Sequence, residues 1–328
     1  MRTRSARAVS VAILALTALG ACARDAPSIR NGPNGLLEVE APPGTTVRYT
    51  LDGGDPDRGA GAWLAPVDLP PGYMLKARAF SADGEPASRV AVRQSPPAGV
   101  RKASTLVPVT QNRDFHIYDW ANRHAACVAL MKSRQPEIVM LGDSITHFWG
   151  GDPDGEGVAG RRTGVEEWNR FFAGRRVVNL GYGWDRTENV LWRLTHGEFD
   201  GVSPKVVVVM IGTNNMDLNT TEEIAAGITE ICAELHRRSP STQILLLGIF
   251  PRGQSPDATR AKVNAVNKRI ATLDGHAGVT YLDIGHVFLE PGDSISKDVM
   301  YDFLHPSALG YARWSAAMKP TLDRLLAQ

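Results

Sequence analysis

Hydrophobic and polar positions alternate in two different ways along the chain. Between Asn31 and about Arg93 the apolar residues come in short runs, Leu36 to Val39, Val47 to Leu51, Tyr73 to Ala79 and Val90 to Val92, divided by Pro-Pro-Gly and Asp-Gly turns. Such runs predict the strands of a small β-sandwich over 31–93. From about Val100 the runs change character. Glu137–Leu141, Arg176–Leu180, Lys205–Ile211, Gln243–Ile249 and Val279–Leu282 are mostly apolar, and Val206 to Met210 is unbroken Val and Met. A strand needs that pattern when helices cover both of its faces. Helical stretches lie between. Thr220-Thr221-Glu222-Glu223 has capping-box spacing, and Ile224, Ile228, Ile231 and Leu235 then recur at helical spacing. A closing helix follows Pro306-Ser307 and runs to Leu326. Strand and helix in alternation argue for βαβ units around a parallel sheet, an α/β domain over 104–328. Pro96-Pro97 marks 94–103 as the linker.

The first 21 residues fit neither texture. Arg2, Arg4 and Arg7 precede an apolar run, Val9 to Leu19, which ends Leu19-Gly20-Ala21-Cys22. A basic start, a short apolar centre and small residues predict an export signal, and the run is too short to span a bilayer comfortably. Apolar-small-small-Cys resembles the lipobox of bacterial lipoproteins. That resemblance implies cleavage before Cys22, lipidation of its thiol, a tether over 22–30, and a membrane-anchored protein of the bacterial cell envelope, in the periplasm or on the cell surface. Ala23 is compatible with outer-membrane sorting. Without residues 1–21, 33 basic residues face 35 acidic ones, a net charge of −2. No basic stripe with interleaved aromatics is present, so nucleic acid is not an expected partner. Cys127 and Cys232 fall in helical stretches and are expected as buried free thiols, although an exported chain meets oxidising conditions and a disulfide stays open. No cysteine or histidine spacing suggests a metal, and no cofactor is expected.

The candidate chemistry sits at strand ends. The run ending Gly142-Asp143-Ser144 would expose Ser144 on a tight turn at the sheet's carboxyl edge. Asp302 and His305 lie three apart on one loop, so the carboxylate can hold one imidazole nitrogen while the other faces Ser144. A serine hydroxyl becomes nucleophilic only when a base takes its proton and a third group orients that base. Asn179-Leu180-Gly181-Tyr182-Gly183-Trp184-Asp185 and Gly212-Thr213-Asn214-Asn215 place small or amide-bearing residues at two further strand ends. Acyl transfer needs donors there for a developing oxyanion. Asn215 is read as a turn residue, and the remaining histidines as structural or exposed.

With the four blocks in this order, the chain resembles the SGNH (GDSL) hydrolases, and NLGYGWDRTENVLWRL looks most like the branch containing the platelet-activating-factor acetylhydrolase catalytic subunits and many bacterial esterases. The resemblance implies a flavodoxin-like three-layer α/β/α domain with a five-stranded parallel sheet in strand order 2-1-3-4-5. It also implies Ser144 as nucleophile, His305 as base and Asp302 as its orienting carboxylate. The oxyanion donors would be the Ser144 backbone N–H, the Asn214 side chain and the backbone N–H at 184. The family usually has glycine at that last position; here it is Trp184, whose main-chain N–H can still serve, with an indole walling the pocket and strain wherever φ is positive. Tyr49 to Pro56, followed by Leu75 to Phe80, resembles the immunoglobulin-like domain C-terminal in chitobiases and hexosaminidases, a stalk or a glycan-contact module.

The implied reaction is hydrolysis of short-chain, acetyl-type esters by an acyl-enzyme, on an ester substrate such as acetylated polysaccharide of the envelope. Phe148, Trp149, Trp184 and Trp192 are candidate rings for sugar stacking. The alternatives are a lysophospholipase or thioesterase with an acyl groove, and a non-catalytic glycan-binding lipoprotein.

Overall fold

The computed structural model describes residues 25–328 apart from 33–34, 96–100, 152 and 154–158. The export signal and Cys22 lie outside the described residues. In chain order the elements are β1 (Ser28–Asn31), β2 (Leu37–Glu40), β3 (Thr46–Thr50), β4 (Gly61–Ala62), β5 (Met74–Phe80), β6 (Ala91–Gln94), α1 (Trp120–Arg134), β7 (Ile138–Gly142), α2 (Ser144–His147), α3 (Val165–Phe171), β8 (Val177–Gly181), α4 (Thr187–Arg193), β9 (Val206–Met210), α5 (Thr221–Arg238), β10 (Gln243–Leu247), α6 (Ala258–Ile270), β11 (Val279–Leu282) and α7 (Ala308–Leu326).

The N-terminal part is antiparallel throughout. β1 pairs with β2, and a four-stranded sheet runs β4-β3-β5-β6. Along β5 the period of two is plain: Leu75, Ala77 and Ala79 are buried and Lys76 and Arg78 are half-buried. Leu37, Tyr49, Leu75 and Ala77 share one core with Val107 of the following segment. Two boundaries differ from the sequence reading. β1 begins inside the stretch expected to be a tether, because Ile29 pairs with Val39 and packs on this core. Gln94, placed in the linker, instead closes β6 opposite Met74.

The second part is a parallel sheet in the spatial order β8-β7-β9-β10-β11, that is 2-1-3-4-5 within the domain. Successive side chains of a strand face opposite sides, and both sides are buried. Val139, Leu141, Val207 and Val209 pack with Met131 of α1, Val190 of α4, Ile228 of α5 and Val263 of α6. Ile138, Met140, Val206 and Val208 pack with Trp168 of α3 and with Tyr311, Trp314 and Met318 of α7. Double coverage is the reason the strands read as unbroken apolar runs. Thr220 caps α5 and closes the capping box with Glu223. Cys127 and Cys232 are free and buried.

Register sets up the site. Gly142 at the end of β7 aligns with Gly181 of β8 and with Met210 of β9, so three strands end level. A Cβ at Gly142 would come within 2.5 Å of the Met210 carbonyl and against the Thr146 hydroxyl. Only glycine lets the chain turn here at once into α2. The connections after β7, β8 and β9 therefore leave one edge side by side.

A strap over 104–114 joins the two parts. Thr110 donates its hydroxyl to the Ala62 carbonyl (2.8 Å), and the Asn112 N–H donates to Gly59 (3.0 Å). On the other side Asn189 Nδ2 donates to Val109 (2.8 Å), and the Val109 N–H to Glu188 (3.3 Å).

Candidate active site

Asp143 caps α2 by accepting the Ile145 N–H at 2.9 Å, which fixes Ser144 as the first helical residue. The Asp143 side chain is fully buried. Burial pushes its carboxyl up to about 7 against the pull of the Ile145 N–H, and the negative charge of Asp185 adds to the rise. Before α7 the chain reverses at Phe303, where φ is +62°. That reversal lets Asp302 Oδ1 accept the backbone N–H groups of Leu304 (3.1 Å) and His305 (2.7 Å). Its other oxygen lies 2.7 Å from His305 Nδ1, and His305 Nε2 lies 2.9 Å from Ser144 Oγ. Burial disfavours the charge on Asp302, but these hydrogen bonds outweigh it and hold the carboxyl below its ordinary value. An ionised carboxylate only accepts, so Nδ1 carries the proton and Nε2 presents its lone pair to the serine hydroxyl. The imidazole is flanked by Phe148 and Tyr301, at ring-centre distances of 5.1 and 5.9 Å.

The two neighbouring strand ends supply donors. Asn214 sits on the 3-10 turn Thr213–Asn215, and its Nδ2 donates one hydrogen to the Asp185 carbonyl at 2.9 Å, which leaves the second for the cleft. Two guanidiniums brace that turn: Arg186 Nε donates to the Asn214 carbonyl (3.0 Å) and Arg252 Nη1 to the Thr213 carbonyl (3.1 Å). Asn215 is more than a turn residue. Its Oδ1 accepts the Thr187 N–H (3.1 Å) and its Nδ2 donates to Glu188 (3.0 Å), which ties the turn to α4.

Trp184 has φ +64°, the left-handed region anticipated as strained for a bulky residue. The Gly183 carbonyl accepts from Gln111 Nε2 (2.9 Å) and from the Tyr118 hydroxyl (2.8 Å), and the Trp184 carbonyl accepts from Arg113 Nη1 (2.8 Å). In a trans peptide C=O and N–H point in opposite directions. With the Gly183 carbonyl held inward, the Trp184 N–H points the other way. The Gly183 N–H donates to His147 Nδ1 at 3.1 Å, and burial lowers the His147 pKa well below the ordinary value, so the ring stays neutral and can accept. Beneath the loop Arg193 bonds Asp185 (2.9 Å) and Glu198 (2.6 Å), all three fully buried.

Ser144, His305, Asn214 and Trp184 line a cleft of about 260 Å³. Its other walls include Asp114, Asp217, Arg161, Arg186 and Arg252, with Phe148, Leu218 and Leu304 as the aliphatic and phenyl contributions. The structure thus brings together all four side chains singled out from sequence, a hydroxyl with its base, the orienting carboxylate and an amide donor, plus the Trp184 main chain. Three of the four candidate stacking rings are buried, Phe148 being 1% exposed beside His305. Trp149 is wholly buried against Tyr311 and Trp314, and Trp192 is 4% exposed against Trp120, whereas Trp184 is 49% exposed. Among the described residues no group of three or more His, Cys, Asp or Glu side chains converges as a metal site. Gln111, Arg113, Asp114 and Arg161 were not signalled by any motif, since the partners of the strap residues lie some 70 positions away in the chain.

Residues 140–313 match the GDSL-like lipase/acylhydrolase family, and residues 37–94 match the Fn3 associated family. The human platelet-activating factor acetylhydrolase IB subunit alpha1 is 37% identical over 210 residues, 64% of this chain and 85% of the relative. The rat alpha2 subunit is 35% identical over 208 residues, 63% of this chain and 85% of the relative. The solved structure of a candidate acylhydrolase from Bacteroides fragilis superposes with a TM-score of 0.50 at 17% identity, covering 63% of this chain and 99% of that one.

Proposed function

Because the chain belongs to the GDSL-like lipase/acylhydrolase family, and is thus a hydrolase acting on ester bonds, we propose that it is a serine esterase removing short acyl groups, acetyl above all, from carbohydrate. His305 takes the proton of Ser144 as Oγ attacks the ester carbonyl. The oxyanion is met by the backbone N–H groups of Ser144 and Trp184 and by Asn214 Nδ2. As the tetrahedral intermediate collapses, His305 returns the proton to the leaving alcohol. Water then attacks the acyl-Ser144, again with His305 as base, and releases the acid. Asp302 holds the ring tautomer and stabilises the imidazolium that forms in each half-reaction.

The observation that carries the choice of substrate is the cleft itself. About 260 Å³ walled by three guanidiniums and two carboxylates suits a small acyl group on a polar, hydroxylated alcohol. A long acyl chain would leave those charges desolvated and unpaired, which is costly. The relatives named as acetylhydrolases support the short acyl group, and the exposed Trp184 indole at the rim offers a face for a sugar ring.

The test is hydrolysis of p-nitrophenyl esters from acetate to decanoate by wild type and Ser144→Ala. A preference for acetate, abolished by the substitution, is expected. Decanoate cleaved as fast as acetate would transfer the enzyme to lipid esters. Absence of Ser144-dependent turnover and of covalent fluorophosphonate labelling would leave only a glycan-binding protein. We further place the enzyme at the bacterial envelope, anchored through a lipid on Cys22. Radiolabelled palmitate should enter the wild type and not Cys22→Ser, and equal labelling of both would remove the anchor.

A further inference from the structure

A second cavity, of about 360 Å³, lies where the N-terminal β-domain meets the catalytic domain. β3 and the turn after it form one wall through Thr50 and Asp52, and the strap and the segment before α5 form the other through Ser104 and Asn219. The cavity is not isolated from the catalytic cleft, because Arg186 and Leu218 line both. Leu218 is 60% exposed, so the ridge between them is open to solvent. Charges of both signs face each other here: the Asp52 carboxylate acts on the Arg186 guanidinium, and Glu188 and Arg113 also reach the cavity. Hydroxyl, amide, carboxylate and guanidinium groups of near-balanced charge are the furniture for a neutral polyol.

The geometry between the domains is fixed rather than hinged. Gln111 of the strap pairs with Ala60, the Thr110 N–H donates to the Tyr49 hydroxyl (3.4 Å), and the Tyr73 hydroxyl donates to the Lys102 carbonyl (2.7 Å). The same strap, through Gln111 and Arg113, holds the Gly183 and Trp184 carbonyls of the catalytic loop. Each space alone lies near the small end of ligand sites, roughly 300–1,000 Å³, and the two together fall well inside it.

We propose that the interdomain cavity is a second sugar subsite: an O-acetylated oligosaccharide presents its ester to Ser144 and lays its following rings across Arg186 and Leu218 into the space beside Asp52. The proposal rests on the carbohydrate-esterase reading above and adds to it that the substrate is a chain, read jointly by both domains. The β-domain is then part of the substrate site and not only a spacer.

The test uses the whole protein and a ladder of O-acetylated β-1,4-linked oligosaccharides, from one ring to six, with p-nitrophenyl acetate as the reference substrate. Wild type, Asp52→Ala and Asp52→Trp are compared; Asp52 is exposed, so neither substitution disturbs the core. For wild type, kcat/KM for acetate release should rise about tenfold between one ring and four, as one or two added polar contacts would supply. Asp52→Trp should flatten the rise through KM with kcat unchanged, Asp52→Ala should reduce it, and both should cleave p-nitrophenyl acetate as the wild type does. Acetylated sugars cleaved without length dependence, or a length dependence that survives both substitutions, would overturn the subsite and leave the carbohydrate reading standing. Turnover of p-nitrophenyl acetate with no acetylated sugar cleaved at any length would overturn the carbohydrate reading, and the subsite with it.

Discussion

Trp184 offers the sharpest test of the site because its backbone and its side chain make separable predictions. The residue stands at φ +64°, and the left-handed region costs an L-residue about 1–2 kcal/mol. The indole is 49% exposed, so about half of its surface, on the order of 100 Å², is covered, worth ~2.5 kcal/mol at 25 cal/mol/Å². Trp184→Ala loses that contact and keeps the strain. Trp184→Gly also loses the contact but relieves the strain, against about 0.4–1 kcal/mol for the freer unfolded chain. The glycine variant should therefore be more stable than the alanine variant by about 0.5–1 kcal/mol, readable as a shift in urea midpoint at unchanged m-value. In the ester assay Trp184→Gly should retain kcat on p-nitrophenyl acetate within about threefold, because Gln111, Tyr118 and Arg113 still hold the flanking carbonyls and so aim the N–H. An alanine variant as stable as the glycine variant would refute the strain argument. A fall of about 10² or more in kcat for the glycine variant would refute the main-chain donor, since that is the loss one oxyanion contact produces.

Other perturbations follow from the same geometry. Asn214→Ala should lower kcat on p-nitrophenyl acetate by about 10²–10³ with a near-native melting curve, and an unchanged kcat would remove Asn214 from the oxyanion site. Arg193→Met strands Asp185 and Glu198 in the core and should cost about 3–5 kcal/mol by chemical denaturation; a loss under 1 kcal/mol would show that the buried network is dispensable. Asp143 is raised in the folded state to about 7, so between about pH 4 and pH 7 the native protein binds more protons than the unfolded chain and stability falls as pH rises, by on the order of 4 kcal/mol at most. Asp143→Asn removes that slope while Oδ1 still caps Ile145, so wild type and variant should diverge in denaturation midpoint across this window, and parallel pH profiles would contradict a buried titrating carboxyl.

The parts of this protein that were legible from sequence are those whose cause is local. β7 to β10 read correctly because each is buried on both faces and so apolar at nearly every position, whereas β11, at the sheet edge, is fully buried only at Val279. That Ser144, Asp302 and His305 would lie within hydrogen-bond reach of one another was legible because one turn and one three-residue spacing set most of their geometry. Burial of the thiols followed from their helices. What stayed hidden depends on distant partners. β4 is two residues long and exists because Tyr49 and Arg48 pair with it. Gln111, Arg113 and Asp114 look like an ordinary polar stretch until the fold sets the strap against Gly183 and Trp184. Trp149 and Trp192 were candidates for stacking because a strand-end position does not say which way a ring turns; α7 and α1 cover them.

In the proposed mechanism, the departure at Trp184 falls on a kind of group that tolerates substitution. The roles proposed for Ser144, Asn214 and His305 use side-chain atoms, so each depends on the identity of the residue. The group wanted at 184 is a main-chain N–H, which every residue but proline owns, and its direction is set by the grip of Gln111, Tyr118 and Arg113 on the adjoining carbonyls. The strap thus carries the geometric burden that glycine's freedom would otherwise ease. The side chain at 184 is released for another task, and here a half-exposed indole lines a small, charged cleft together with Arg186. Strain at one backbone position thereby accompanies an exposed aromatic surface at the cleft, the face that the proposed carbohydrate substrate would use for stacking.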